Sequence, residues 1–268
     1  MKPFAASTLE PNRSRAEIVE DLRRLLPKLE SISGERRAFS FGLAALDAHL
    51  PGGGLASGAL HEVACESEGD LPAAFAFVAA LLGRMPGEAP VFLVISPRGL
   101  ADHGHPHGHG LEELGLDPAR LILVETQDEL QALWALEEAL RSGVPAAVAG
   151  AIGKELDLKT SRRLHLAAGN SGLPLILLGS AGMVGSSAAA TRWRVGAAQA
   201  ARDRFGLFDR WRWRLRLERC RNGRLGEWLV EWNHGAYRFS LAAPMADPAL
   251  PRGASAQPLA AGTRAASG

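Results

Sequence analysis

Between Cys65 and Pro72 the sequence reads CESEGDLP, with an apolar strand-like run ahead of it, Ala59 to Ala64, and an apolar helical run behind it, Ala73 to Leu82. A small-residue turn between a buried strand and a helix is where a nucleotide-binding protein keeps its phosphate loop. Such a loop needs the pattern G-x-x-x-x-G-K-[ST]. Its glycines let backbone N–H groups cradle the phosphates, its lysine neutralises them, and its hydroxyl reaches magnesium. Here Cys65, Glu66, Ser67, Glu68, Gly69, Asp70, Leu71 and Pro72 supply a single glycine, no lysine and three acids. A carboxylate about 4 Å from a phosphate oxygen, at an effective dielectric of about 20, costs on the order of 4 kcal/mol. Ordinary ATP binding is therefore not expected, and no cofactor is implied. A competing fragment, GAIGK ending at Lys154, lacks both the first glycine spacing and the following Ser/Thr.

The strongest positive feature is RWRWRLRLERC, Arg210 to Cys220, which alternates strictly. In a strand, Trp211, Trp213, Leu215 and Leu217 share one face and Arg212, Arg214, Arg216 and Glu218 the other. The arginines could meet DNA phosphates while aromatics stack on unpaired bases. The opposite reading packs the tryptophans inward and leaves the arginines merely solvated. A candidate surface for DNA or a partner is made of Arg192, Arg194, Arg212, Arg214, Arg216, Arg219, Arg221 and Arg224. Between Arg192 and Arg224 lie eleven arginines and only Asp203, Asp209 and Glu218 as acids, so this segment carries +8 in a chain of net charge +1. The remainder carries −7. That asymmetry suggests a polyanion or an acidic partner, although arginine supplies 26 of the 30 basic residues, a usage that host coding bias would also produce.

Two further clusters have weaker chemistry. HGHPHGHG sets His103, His105, His107 and His109 at alternate positions, which in an extended loop would share a side and could take up zinc or nickel. Its Gly/Pro spacers and its lack of an acid or cysteine favour a solvated, low-complexity loop, so no metal site is expected. Cys65 and Cys220 have no partnering His/Asp motif nearby and read as small buried residues. Two cysteines make neither a disulfide framework nor a four-ligand zinc site, which fits a cytoplasmic protein with reduced thiols.

These groups require a frame. Arg15 to Leu29 carries Ile18, Val19, Leu22, Leu25, Leu26 and Leu29 at helical spacing, an amphipathic helix ahead of the main domain. It can pack on its own domain or dock a protomer or partner. Continuous apolar runs at Pro90 to Ser96, Arg120 to Thr126, VPAAVAGAI and LPLILLGS read as strands buried on both faces. Asp128 to Gly143 reads as a helix capped by Asp128, stopped by Gly143 and lined on one face by Leu130, Leu133, Trp134 and Leu140. Lys159 to Ala168 reads as another. This alternation implies an α/β fold with a mostly parallel, helix-covered sheet. The style changes at Thr191: the Arg/Trp strand, the turn RNGR and GEWLVEWNHG form an antiparallel C-terminal hairpin. Residues 243–268 are low in complexity and read as a disordered Ala/Pro/Gly-rich tail, a spacer or a short-motif partner site. The longest apolar runs fall far short of the roughly 20 residues of a membrane span, and no signal peptide or anchor is indicated.

The order of parts resembles the RecA recombinase core: a Gly-rich lead-in, PGGGLASGALHEVA, a turn, four more buried strands, then a terminal hairpin. A GGL..G element running into an apolar strand with Glu62 near its end is how RecA-like proteins begin. Leu114 to Gly143 resembles the RecA stretch joining the second and fourth core strands, and the likeness covers roughly residues 40 to 232. It implies a RecA-like three-layer core over residues 39–242, preceded by the N-terminal segment 1–38. In the register of the resemblance the missing lysine falls at Asp70 or Leu71 and the hydroxyl residue at Leu71 or Pro72. The catalytic glutamate falls near Pro97, and the magnesium-binding aspartate in VAGAIG, Val148 to Gly153, where there is no acid. Three losses together imply a protein that is not an enzyme. RecA binds DNA through loops near the C-terminal region, but SAGMVGSSAAATRW after the fifth strand is short for such a loop.

Among RecA relatives the chain resembles the ImuA family of damage-inducible mutagenesis proteins in its lead-in, its missing phosphate loop, its Arg/Trp hairpin and its tail. That resemblance implies a non-enzymatic accessory role in SOS-induced error-prone translesion synthesis. Its implied partners are an ImuB-like Y-family protein, an error-prone replicative-type DNA polymerase and, indirectly, the sliding clamp, with DNA contact weak or indirect. Two alternatives stand beside it: a SulA-like inhibitor of cell division, which is much shorter and has no such basic hairpin, and an authentic RecA-like ATPase or DNA-binding module.

Overall fold

A computed structural model of the chain describes residues 38–100, 103–202 and 204–242. The expected N-terminal helix, Arg15 to Leu29, and the tail lie outside the described residues. In chain order the strands are β1 (Ala38–Phe39), β2 (Leu55–Ala56), β3 (Leu60–Cys65), β4 (Val91–Ile95), β5 (Leu121–Glu125), β6 (Ala147–Ala151), β7 (Leu175–Gly179), β8 (Thr191–Arg202), β9 (Phe208–Cys220), β10 (Gly226–Asn233) and β11 (Arg238–Leu241). The helices are α1 (Ala44–Asp47), α2 (Leu71–Gly83), α3 (Gly108–Glu113), α4 (Glu129–Ser142) and α5 (Leu158–Ser171). β1 and β2 pair as a small ribbon, and the other nine strands form one sheet in the order β11-β10-β9-β8-β3-β7-β6-β4-β5. From β8 to β5 every pairing is parallel; from β8 to β11 every pairing is antiparallel. This is the α/β arrangement of a RecA-like core, with mostly parallel strands and an antiparallel C-terminal hairpin.

Two apolar layers flank the sheet. On one side α4 and α5 cover β4, β6, β7 and β3 through Leu136, Leu140, Leu164, Leu175 and Leu177. On the other side α2 is apolar around most of its circumference, which only an enclosed helix tolerates. The antiparallel strands supply the enclosure: Phe77 of α2 meets Trp213 edge-on at 6.0 Å and Phe239 at 5.7 Å, and Phe41 meets Trp193 at 5.2 Å. Trp232 also lies in this cluster, and its indole N–H donates to the Glu113 carbonyl at 3.0 Å.

Two expectations change in the parallel half. α4 is capped as its sequence predicts, with the Asp128 carboxylate accepting from the Gln131 amide and Gly143 left-handed at the C-cap. Its buried face, however, is Ala132, Leu136, Ala139 and Leu140, while Leu130 and Trp134 are 74% and 63% exposed. The alanines let the helix sit close to the sheet and rotate the larger side chains off its edge. β5 is not buried on both faces either. It is the last strand of the sheet, so Ile122 and Leu123 stay about 40% exposed.

Candidate functional site

In an open α/β sheet, ligands bind at the carboxyl ends of the parallel strands. The turn after β3 lies there, and the chain's own groups close it. Ser67 and Asp70 form a capping box: the Asp70 Oδ2 accepts from the Ser67 amide at 3.0 Å and from its hydroxyl at 2.6 Å. The Glu66 amide donates to the Val195 carbonyl and the Asp70 amide to the Ser67 carbonyl. The Glu66, Ser67 and Asp70 amides are thus engaged, and Leu71 and Pro72 open α2 directly behind them.

The acids of this turn serve as internal anions. Asp70 Oδ1 accepts from the Ala197 amide at 2.8 Å, Glu68 Oε1 from the Ala181 amide at 3.1 Å, and Glu66 Oε2 from Arg214 Nε and Nη2 at 3.0 and 2.7 Å. They stand at the positive end of α2, where a phosphate would otherwise be drawn. Burial alone would raise the Asp70 pKa, but the Ser67 hydroxyl and the Ala197 and Ser67 amides hold it below the usual carboxylate value. Burial and the neighbouring Glu68 push the Cys65 thiol up to about 11, and burial raises Cys220, so neither is a thiolate at neutral pH.

The neighbouring strand ends are filled in the same way. No carboxylate belongs to the residue after β4, yet Glu129 reaches that place from the start of α4 and accepts from the Ser96 hydroxyl at 2.8 Å. Linear sequence gave no sign of that approach. Ser96 Oγ in turn accepts from the Gly153 amide. Gly99 packs on the Ala151 carbonyl and Gly153 on Arg98 so closely that a Cβ on either would collide. In the turn after β6, Glu155 takes the amides of Val184 and Gly185. The segment carrying Lys154 leads into α5, whose N-terminus is capped by Asp157 accepting from the Thr160 amide at 2.7 Å.

The stretch after β7 is short, as its sequence indicates. It runs back along β3 to bring β8 into parallel register, His61 opposite Thr191 and Cys65 opposite Val195. Two buried arginines pin it. Arg194 donates to the carbonyls of Cys65, Ala181 and Met183 and to both Glu218 oxygens, at 3.1 and 3.0 Å. Arg192 donates to the Gly185 carbonyl and pairs at 2.8 Å with Glu62, whose other oxygen accepts from Ser187 at 2.5 Å. Against the expectation of a continuous basic surface, Arg192 and Arg194 are interior.

The rest of that candidate surface is largely satisfied from within. Arg212 pairs with Glu231, Arg214 with Glu66 and Arg216 with Glu218. Arg219, Arg221 and Arg224 donate to the carbonyls of Ser187, Ala188 and Ala48. The inward reading of the tryptophans holds: Trp213 is 2% exposed and Trp211 is half-buried, so Trp213 has no face for a base. The turn joining β8 and β9, by contrast, exposes Phe205, Leu207 and Phe208. Sequence reading passed over these residues because they sit outside the alternating run, although a ring beside an arginine in RDRFGLFDR was the available signal.

The histidines do not lie in one extended loop. His107 precedes α3 and His109 lies inside it, while His105 pairs with Glu125 at 2.5 Å. Among the described residues no three His, Cys, Asp or Glu side chains are grouped to hold a metal ion, and no helix is long and apolar enough to cross a membrane.

The chain matches no protein-family model. It is 40% identical to Protein ImuA of Caulobacter vibrioides strain NA1000 / CB15N over 230 residues, covering 78% of this chain and 90% of that protein. Protein ImuA of C. vibrioides strain ATCC 19089 / CIP 103742 / CB 15 matches to the same extent. Identity of this degree, over this share of both chains, means that the chain belongs to the ImuA family.

Proposed function

We propose that this chain is a cytoplasmic, non-enzymatic accessory factor in damage-induced, error-prone DNA synthesis. It acts as an adaptor for an ImuB-like Y-family protein and an error-prone replicative-type polymerase, and reaches the sliding clamp only through them. The observation that carries this reading is the substitution of protein carboxylates for a nucleotide. Glu66, Glu68 and Asp70 engage donors of the chain itself at the place where a phosphate would sit. A RecA-like core closed in this way has its surfaces left to work with. Support for partner binding comes from β5, which among the described residues pairs on one side only, and where Ile122 and Leu123 stand with Leu130 and Trp134 of the adjoining helix as exposed apolar side chains. An unpaired edge with apolar neighbours is a template for association.

The test is retention of an ImuB-like protein by the immobilised full-length chain, with and without magnesium-ATP. The reading expects retention that is indifferent to nucleotide and is lost in Trp134→Glu. Failure of both the full-length protein and a version without residues 243–268 to retain it would contradict the adaptor role.

A further inference from the structure

The β8–β9 ribbon outruns the strands beside it. β3 pairs with β8 only as far as Val195, and β10 pairs with β9 only from Trp211, so the ribbon continues to Arg202 and Phe208 with only its two strands. Its turn passes through Gly206 at φ +79°, a left-handed conformation that suits glycine. Around that glycine Phe205 is 70%, Leu207 64% and Phe208 56% exposed, three large apolar side chains within four residues. None belongs to either buried cluster. Exposed apolar groups gathered at one extremity point to a ligand rather than to packing.

The chemistry beside them is cationic and planar. The Arg204 guanidinium lies over the Phe205 ring, 4.6 Å from its centroid. Arg202 donates through Nη1 to the Gly206 carbonyl at 2.7 Å, which folds its side chain back along the turn. Arg210 bridges Asp209 and Glu231 at 3.4 and 3.3 Å. Phe208 packs at 6.1 Å against Trp211, which anchors the ring to the base of the ribbon. Flat rings interleaved with guanidinium groups suit unpaired bases linked by phosphates, because every base has a π-face and every linkage a negative charge. A stacked duplex offers no such faces.

We infer that the tip of the β8–β9 ribbon is a binding site for single-stranded DNA, with bases stacking on Phe205 and Phe208 and Arg204 meeting a phosphate. This site is separate from the arginine face that sequence alone suggests. It does not depend on the adaptor reading.

Fluorescence anisotropy of a labelled oligothymidylate of about 20 nucleotides, titrated with the full-length chain, tests it. The wild type is expected to bind the single strand in preference to a duplex of the same length. Phe205→Ala with Phe208→Ala should weaken binding about tenfold or more while the melting temperature stays unchanged. Arg204→Gln should lower the salt slope by about 0.7 between about 50 and 200 mM salt. Replacing Phe205 alone with the photocrosslinker p-benzoylphenylalanine should give a covalent adduct with the oligonucleotide, which guards against a folding defect in the double variant. The inference is overturned if the wild type does not bind, if the double variant binds as well as the wild type, or if no adduct forms. It is also overturned if the tip variants keep their DNA affinity but lose retention of the ImuB-like protein, which would make the tip a protein-docking element.

Discussion

One carboxylate oxygen of Glu66 accepts from both Nε and Nη2 of Arg214, at 3.0 and 2.7 Å. The bond joins the turn after β3 to the arginine strand, across Gly196, where a Cβ would run into the Glu66 side chain. An acid that would repel a phosphate from the turn therefore also neutralises an arginine that would otherwise attract one. One contact thus bears on both the acidic turn and the basic face.

Two glutamates four residues apart should respond very differently to substitution. Glu66 and Arg214 are both more than a third exposed, so Glu66→Gln is expected to change stability by no more than about 1 kcal/mol. Glu62 and Arg192 are buried, and Glu62→Gln strands the guanidinium without its counter-charge at a cost of about 3 kcal/mol or more. Urea denaturation of both variants measures the contrast. Similar losses would mean that the buried pair is not held as described.

Acid sensitivity should begin above the carboxylate range. His61 is buried, with Nε2–H donating to the Ala56 carbonyl at 2.9 Å and Nδ1 accepting from the Thr191 hydroxyl at 2.8 Å, and Thr191 in turn accepts from the Trp193 indole. Burial lowers its pKa from 6.5 to about 4. The unfolded chain thus takes up a proton near pH 6.5 that the folded chain refuses until about pH 4. Stability is full above 6.5 and falls by about 3 kcal/mol as the pH drops toward 4. His61→Gln should flatten that window. The depressed Asp70 and Glu218 carboxyls add their losses only at lower pH. Melting temperatures between pH 7 and 4 check this, and an unchanged slope in the variant would refute it.

Tryptophans of similar appearance in the sequence should separate by burial. Trp213→Ala opens a void against Phe77 and Phe239 and is expected to cost about 4 kcal/mol. Trp134→Ala, on an exposed helix face, should stay within about 0.5 kcal/mol. Equal effects would place the hairpin's apolar face away from α2.

The parallel strands, the helix caps at Asp128 and Gly143 and the absence of a phosphate-loop lysine were all legible in the sequence, because each rests on local pattern. The alternation of Arg210 to Cys220 assigned faces correctly but not their use: nothing in the run shows that Glu66 and Glu231 arrive from other elements to pair with its arginines. The exposure of Trp134 was hidden because helical spacing gives a stripe but not its rotation. Glu129 beside Ser96 was hidden because its approach depends on how α4 returns over the sheet.

Calorimetric titration of the full-length chain with magnesium-ATP tests the central claim most directly. A turn already occupied by its own carboxylates predicts no saturable heat up to millimolar nucleotide, and the same null result for Asp70→Lys, since one lysine does not free the remaining donors. Saturable binding in the micromolar range by the wild-type chain would contradict the account.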